Sequence, residues 1–148
     1  MKFKNISVIG LGYIGLPTAV LFASKNIKVT GLDVDDDKID LINKGESPFE
    51  EPHLDHLIKT TVSNGMLKAY NSPKPAQAFI IAVPTPFLED LTPDLSYVKQ
   101  AVNTIAKVLK RGDLIILEST SPVGTTALVS KWLQVIRQDL KFPGENQE

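Results

Sequence analysis

Ile6-Ser7-Val8-Ile9-Gly10-Leu11-Gly12-Tyr13-Ile14-Gly15 is a short apolar run that breaks into three glycines, with one residue and then two between them. The spacing reads as the strand, tight turn and helix start of a dinucleotide-binding unit. Each glycine answers a separate demand. The first permits the turn, the second lets the backbone reach a pyrophosphate, and the third lets the helix approach the strand. Gly10, Gly12 and Gly15 are therefore candidate cofactor-binding positions. Three glycines can also mark ordinary turns, so the flanking residues decide. Ile14, Leu21 and Phe22 continue on a helical face with the small Ala19 and Ala23 between them, and a second strand is expected over 27–32, ended by Asp33. A carboxylate there is placed to accept hydrogen bonds from the adenosine ribose hydroxyls and to repel a ribose 2'-phosphate, which favours NAD over NADP. The alternative is an ordinary solvated aspartate at a strand end. Asp35, Asp36 and Asp37 are expected to cap and charge the next helix rather than to touch ligand.

Working outward, a short helix is expected over 37–43, with Ile39, Leu41 and Ile42 apolar and Gly45 as its stop. After the loop 45–52, Leu54, Leu57 and Ile58 form the stripe of a second helical piece. His53 and His56 stand three apart beside it, a spacing open to a metal, but no third ligand is evident and a solvated face is the plainer reading. Asn64-Gly65 signals a turn into a short strand over 66–70 near a sheet edge. Phe79-Ile80-Ile81-Ala82-Val83 is apolar without alternation, as suits a central parallel strand covered on both faces. It runs into Pro84-Thr85-Pro86 at its carboxyl end, where ligands of open parallel sheets sit. Thr85 is thus a candidate cofactor contact, through hydroxyl or backbone, or else part of a rigid turn.

Asp94 is expected to cap a helix over 95–110 whose face is Val98, Ala101, Val102, Ile105, Ala106 and Leu109. A fifth strand follows over 114–117. Glu118-Ser119-Thr120-Ser121-Pro122-Val123-Gly124-Thr125-Thr126 then crowds hydroxyls and a carboxylate into another strand-to-helix junction, ahead of a helix faced by Leu128, Val129, Trp132, Leu133 and Ile136. Five strands alternating with helices predict a right-handed, doubly wound parallel α/β sheet of the Rossmann type in the order 3-2-1-4-5. The cofactor would cross the carboxyl ends of strands 1 and 4, with Thr85, Thr120 and Thr126 reaching the cleft from different turns. Thr126 could donate to phosphate or ribose and Thr120 lies nearer a reacting centre, although either could be a cap or a fold-internal hydroxyl.

Composition bounds the rest. The chain of 148 residues suits one domain that needs no metal or disulfide staple. There is no cysteine, so disulfides, thiolate nucleophiles and cysteine-ligated zinc are excluded, and a reducing, cytoplasmic setting is expected. A net charge of −1 with no basic cluster argues against a nucleic-acid surface, and no apolar run approaches membrane-spanning length. The amino terminus leads straight into the first strand without the features of a signal or transit peptide.

Val8-Ile9-Gly10-Leu11-Gly12-Tyr13-Ile14-Gly15-Leu16-Pro17-Thr18-Ala19, Asp33, Ile81-Ala82-Val83-Pro84-Thr85-Pro86 and Leu117-Glu118-Ser119-Thr120-Ser121-Pro122-Val123-Gly124-Thr125-Thr126 together resemble the amino-terminal domain of the UDP-glucose/GDP-mannose dehydrogenase family. The likeness covers essentially the whole chain, including Gly45-Glu46 and Glu51-Pro52. It implies oxidation of the C6 alcohol of a nucleotide sugar to a carboxylate in two steps with two NAD, for polysaccharide biosynthesis. It further implies that Tyr13 and Ile14 lie against the cofactor pyrophosphate, that Asp33 holds the adenosine ribose, and that Thr85 and Thr126 are further NAD contacts. Thr120 resembles the family threonine beside the nicotinamide and the reacting sugar, an auxiliary catalytic position.

The resemblance also implies parts that this sequence lacks. The family's second oxidation passes through a thiohemiacetal and thioester on a cysteine. That cysteine, the assisting lysine and asparagine, the dimerising central helix and the nucleotide-sugar domain are all expected beyond Glu148. The sixth strand, expected soon after Phe142-Pro143, is missing too, and residues 144–148 read as an end without a partner element. Residues 1–148 are accordingly expected to be the NAD-binding domain of a longer, homo-oligomeric oxidoreductase, inactive in isolation and able to self-associate through an open sheet edge. Two other classes stay open: a nucleotide-binding or partner-binding module without chemistry, and a dehydrogenase for another substrate, whether another nucleotide sugar such as UDP-glucose, a small hydroxy acid or a phosphorylated sugar acid. The second is disfavoured for small hydroxy acids because no histidine falls in the strand-tip loops.

Overall fold

Parallel strands covered on both faces need apolar residues on both, and the chain supplies them. The computed structural model describes residues 3–51 and 54–143. Its elements are β1 (Asn5–Ile9), α1 (Gly15–Ser24), β2 (Lys28–Leu32), α2 (Asp36–Lys44), α3 (Leu54–Ser63), β3 (Leu67–Tyr70), β4 (Ala78–Ile81), α4 (Ser96–Ala106), β5 (Leu114–Leu117) and α5 (Thr125–Ile136). The strands form one five-stranded sheet in the order β3-β2-β1-β4-β5, with every pairing parallel. This is the expected order.

Alternation along β4 shows how the two layers are assigned. Ala78 and Ile80 join Ile6, Val8, Val29, Leu67 and Ala69 beneath α1, α2 and α3. Phe79 and Ile81 point the other way and pack with Ile9, Leu32 and the α4 and α5 residues Val98, Val102, Ile105, Val129 and Leu133. Successive side chains of a strand face opposite sides, so an unbroken apolar run fills two cores at once. Full burial of a side chain the size of Phe79 is favourable by about 2–3 kcal/mol.

The helices show where periodicity read from sequence needs a correction. On α1 the buried face is Leu16, Ala19, Val20 and Ala23, at helical spacing, whereas Leu21 and Ile14 are exposed. On α3 the buried stripe is Leu54, Ile58 and Thr61, with Leu57 turned toward solvent. Asp35 does cap α2, accepting from the Lys38 amide at 3.1 Å, and Gly45 ends it in the left-handed region at φ +84°. Helix α4 stops at Ala106, short of the expected 110. The Arg137 guanidinium takes over there, donating to the carbonyls of Ala106 and Leu109 at 2.7 and 2.8 Å, so Leu109 stays buried outside the helix. Asp139 grips the same guanidinium and holds its pKa above the usual arginine range.

The two outer strands are treated differently. The β3 edge is closed by Asn43 of α2, whose side-chain amide donates to the Ala69 carbonyl at 3.0 Å and accepts from the Ala69 amide at 2.9 Å. A side chain thus imitates the next strand and blunts the edge. Asn43→Ala leaves both backbone groups of Ala69 without these partners and is expected to cost about 1–3 kcal/mol, read as a lower urea midpoint. On the other side β5 forms the last strand among the described residues, with Leu114 and Ile116 each 41% exposed, in contrast to the fully buried β4. Leu114, Ile115 and Leu117 of β5 line a cavity of about 940 Å³ together with Val129, Leu133, Leu140 and Phe142. Residues 144–148, where an end without a partner element is expected, lie outside the described residues.

Candidate cofactor site

The glycine turn folds as its spacing demands. Gly10 follows β1 in the left-handed region at φ +90°, donates its amide to the Leu32 carbonyl at 2.8 Å, and has no space for a Cβ, which would lie 2.7 Å from the Ala82 carbonyl oxygen. A Cβ on Gly15 would fall 1.8 Å from the carbonyl oxygen of Gly10, so the third glycine is what lets α1 start against the strand end. Gly12 differs, since a Cβ there would meet nothing within 4 Å. Its bareness serves no packing need within the chain and leaves the backbone approachable from outside, as a ligand cradle requires.

Helix α1 is left open at the end that faces this turn. Its N-cap, Ile14, makes no side-chain capping bond, and no acidic residue stands in the first turn. By contrast α2 has the Asp35 cap followed by Asp36 and Asp37. Leu16 already donates its amide to the Gly12 carbonyl at 3.1 Å and Pro17 has no N–H, so in the first turn the Gly15 amide, with the positive end of the helix dipole, is what suits a phosphate. Tyr13 and Ile14 flank this opening, 69% and 60% exposed, and the Tyr13 ring rests on Phe49 of the α2–α3 loop with centroids 4.4 Å apart.

Asp33 is buried and holds the turn from the β2 side. Its Oδ2 accepts from the Leu11 amide at 2.8 Å and from Lys38 Nζ at 3.2 Å, while Oδ1 accepts from the amides of Val34 and Asp35 at 2.9 and 3.1 Å. Four donors match the lone-pair capacity of a carboxylate. The solvated-aspartate reading therefore does not hold. Lys38 is the one partner on a flexible side chain, so it is the one able to make way for a ribose hydroxyl.

Across the β1–β4 switch point the carboxyl ends of β4 and β5 are laced together. Thr85 donates its hydroxyl to the Thr120 carbonyl, which leaves its oxygen lone pairs and backbone for any ligand. Ser119 donates to the Val83 carbonyl at 2.7 Å, and the amides of Glu118 and Ser119 share the Ile81 carbonyl. Thr120 is exposed at this tip. Thr126 is exposed in the first turn of α5, on the cavity along β5, whereas its neighbour Thr125 is the fold-internal hydroxyl, buried and bonded to the Pro122 carbonyl at 2.8 Å. Downstream of β4, Asp90 accepts from the hydroxyl and amide of Thr92, which hold its carboxyl below the usual carboxylate range. His56 is exposed on α3, far in sequence from these tips, and His53 lies outside the described residues. Among the described residues no group of three or more His, Cys, Asp or Glu could hold a metal ion, and no helix is long and apolar enough to cross a membrane.

Four participants escape a reading by sequence. A Cβ on Gly31 of β2 would lie 2.8 Å from the Leu11 side chain, so this glycine makes the seat for the residue between the first two turn glycines. A glycine inside a strand is a visible signal of such close approach. Lys38, Phe49 and the bond from Thr18 Oγ1 to Glu118 Oε1, 3.0 Å long, carry no comparable mark, because each depends on elements meeting in space.

The profile of the UDP-glucose/GDP-mannose dehydrogenase family, NAD binding domain, matches residues 4–146. The chain belongs to that family. Curated relatives within it include an NDP-N-acetyl-D-galactosaminuronic acid dehydrogenase of Ralstonia nicotianae, 54% identical over 148 residues, covering 100% of this chain and 35% of the relative. A UDP-N-acetyl-D-mannosamine dehydrogenase of Campylobacter jejuni is 56% identical over 143 residues, covering 96% and 35%. Among solved structures of the family, a UDP-D-ManNAc dehydrogenase from Pyrococcus horikoshii superposes with a TM-score of 0.89 at 42% identity, over 95% of this chain and 34% of that one. The chain thus spans about a third of the length of the family members it matches. The glycine turn, the Asp33 carboxylate and the laced β4 and β5 tips all lie within the matched residues.

Proposed function

We propose that this chain holds NAD for an enzyme that oxidises the C6 alcohol of UDP-N-acetyl-D-mannosamine to a carboxylate. The observation that carries the reading is the convergence of three features at one switch point: the bare Gly12 turn, the uncapped start of α1 and the Asp33 carboxylate. These residues fit the group. The Gly12 turn and the Gly15 amide at the start of α1, flanked by Tyr13 and Ile14, would hold the pyrophosphate, while Asp33, with Lys38 making way, would hold the adenosine ribose. Thr85 and Thr126 would add contacts beyond, and exposed Thr120 at the β5 tip would help position substrate or water. NAD, when bound, supplies a hydride acceptor.

The overall change fixes the stoichiometry. Taking an alcohol to a carboxylate removes four electrons, so R-CH2OH with one water and two NAD+ yields R-COO−, two NADH and three protons. The chain contains no cysteine, and a threonine hydroxyl without an adjacent base is a poor nucleophile. Its residues therefore bind and orient, and no covalent step is assigned to them. N-acetylmannosamine as the sugar is supported by the names of the relatives at 52–56% identity. A second reading, an N-acetylgalactosamine-type nucleotide sugar, is supported by the Ralstonia relative matched over every residue of the chain.

Calorimetric titration with NAD tests the cofactor reading. The parent chain is expected to bind. Gly12→Ala is expected to keep the unfolding midpoint, since its Cβ meets open space, while NAD affinity falls about tenfold because that Cβ enters the phosphate cradle. Unchanged affinity in the variant would remove the pyrophosphate from this turn.

A further inference from the structure

Glu118 is the carboxylate at the carboxyl end of β5, and neither the fold nor the adenosine side of the cofactor accounts for its position. The strand register pairs Leu117 with Ile81 of β4, and the amides of Glu118 and Ser119 both donate to the Ile81 carbonyl, at 2.9 and 3.1 Å. The backbone at this tip is pinned. From it the side chain reaches across to α1, where Oε1 accepts the hydroxyl of Thr18 at 3.0 Å, joining residues 100 apart in sequence. No cation among the described residues pairs with this carboxylate, unlike Asp33, which faces Lys38, and Asp139, which faces Arg137. It is exposed, and Oε2 has no recorded partner.

We propose that Glu118 makes the site prefer the oxidised over the reduced nicotinamide ring. The inference rests on the NAD reading above. With the ribose at Asp33 and the pyrophosphate at the start of α1, the far half of the dinucleotide would extend toward the β4 and β5 tips, the side that Glu118 borders. The two redox forms of the ring have nearly the same shape and differ by one positive charge, carried by the oxidised form. An unpaired carboxylate beside the ring would discriminate between them through charge alone, and at a partly solvated site the expected preference is about tenfold. The hydrogen bond from Thr18 fixes the carboxylate on the α1 side without neutralising it, so the negative charge is positioned rather than cancelled.

The test titrates the 148-residue chain and its Glu118→Gln variant with NAD+, NADH and ADP-ribose, which has no nicotinamide. Glutamine keeps the shape and can still accept from Thr18, so only the charge is removed. The expected result is an approximately tenfold loss of NAD+ affinity, less than a twofold change for NADH, and unchanged ADP-ribose binding. A Thr18→Val variant, which retains the charge but releases it, is expected to narrow the NAD+ over NADH preference while ADP-ribose binding stays as in the parent. Equal losses for NAD+ and NADH, or no loss in Glu118→Gln, would overturn the proposal while leaving the NAD reading intact if ADP-ribose binds. Failure of the parent chain to bind either ADP-ribose or NAD+ would instead overturn the NAD reading and the proposal with it.

Discussion

Gly15→Ala is expected to break the strand-to-helix turn and to destabilise the chain by about 3 kcal/mol or more, toward the upper end of what an intruding methyl costs in a packed region. The added Cβ would lie 1.8 Å from the Gly10 carbonyl oxygen and 3.2 Å from the Ala82 side chain. The first obstacle is backbone, so no rotamer change relieves it. Relief requires α1 to move off the sheet, and α1 carries Leu16, Ala19, Val20 and Ala23 of the larger apolar layer. Urea unfolding followed by circular dichroism reads the effect, and a midpoint equal to that of the parent would contradict the close-approach account. Comparison with Gly12→Ala makes the result informative. The two glycines belong to one motif, yet one is required by the chain itself and the other faces open space. Stability and affinity should therefore separate between them.

Asp33→Ala is expected to lose on both counts. The amides of Leu11, Val34 and Asp35 and the ammonium of Lys38 converge on this buried carboxylate, and removing it strands three backbone donors. The expected cost is about 2–4 kcal/mol, because the buried Leu11 amide is left unpaired and the part-buried amides of Val34 and Asp35 lose their acceptor. NAD affinity should fall more than tenfold. NADP should lose much less or gain, since the carboxylate that repels a 2'-phosphate is gone while Lys38, released from its 3.2 Å ion pair, remains as a cation beside that position. Parallel titrations with NAD and NADP measure the ratio. A ratio unchanged from the parent would show that Asp33 supports the turn without selecting the cofactor.

The strand order was legible because its signals are local. Unbroken apolar runs at 79–83 and 114–117, amphipathic spacing on the intervening helices and glycines at the turns each act within a few residues. Asp33, Thr85 and Thr120 were legible as strand-tip residues for the same reason. What each does there was not. Asp33 proved to be a hub for four protein donors, and the Thr85 hydroxyl proved to be engaged with the Thr120 carbonyl. Even periodicity misplaced Leu21 and Leu57, which are apolar but face outward, because a helix has several apolar stripes and only the sheet chooses among them.

The sequence by itself determined the doubly wound order, the glycine turn, the acidic strand end and the family, since spacing and residue type encode backbone freedom and local burial. Only the tertiary structure decided which glycine serves the fold and which faces open space, that Lys38 stands against Asp33, and that Thr18 holds Glu118 at the β5 tip. Those are distances between elements far apart along the chain, set by how closely helix and sheet approach. No periodicity records them, and charge and hydrogen bonding act on them all the same.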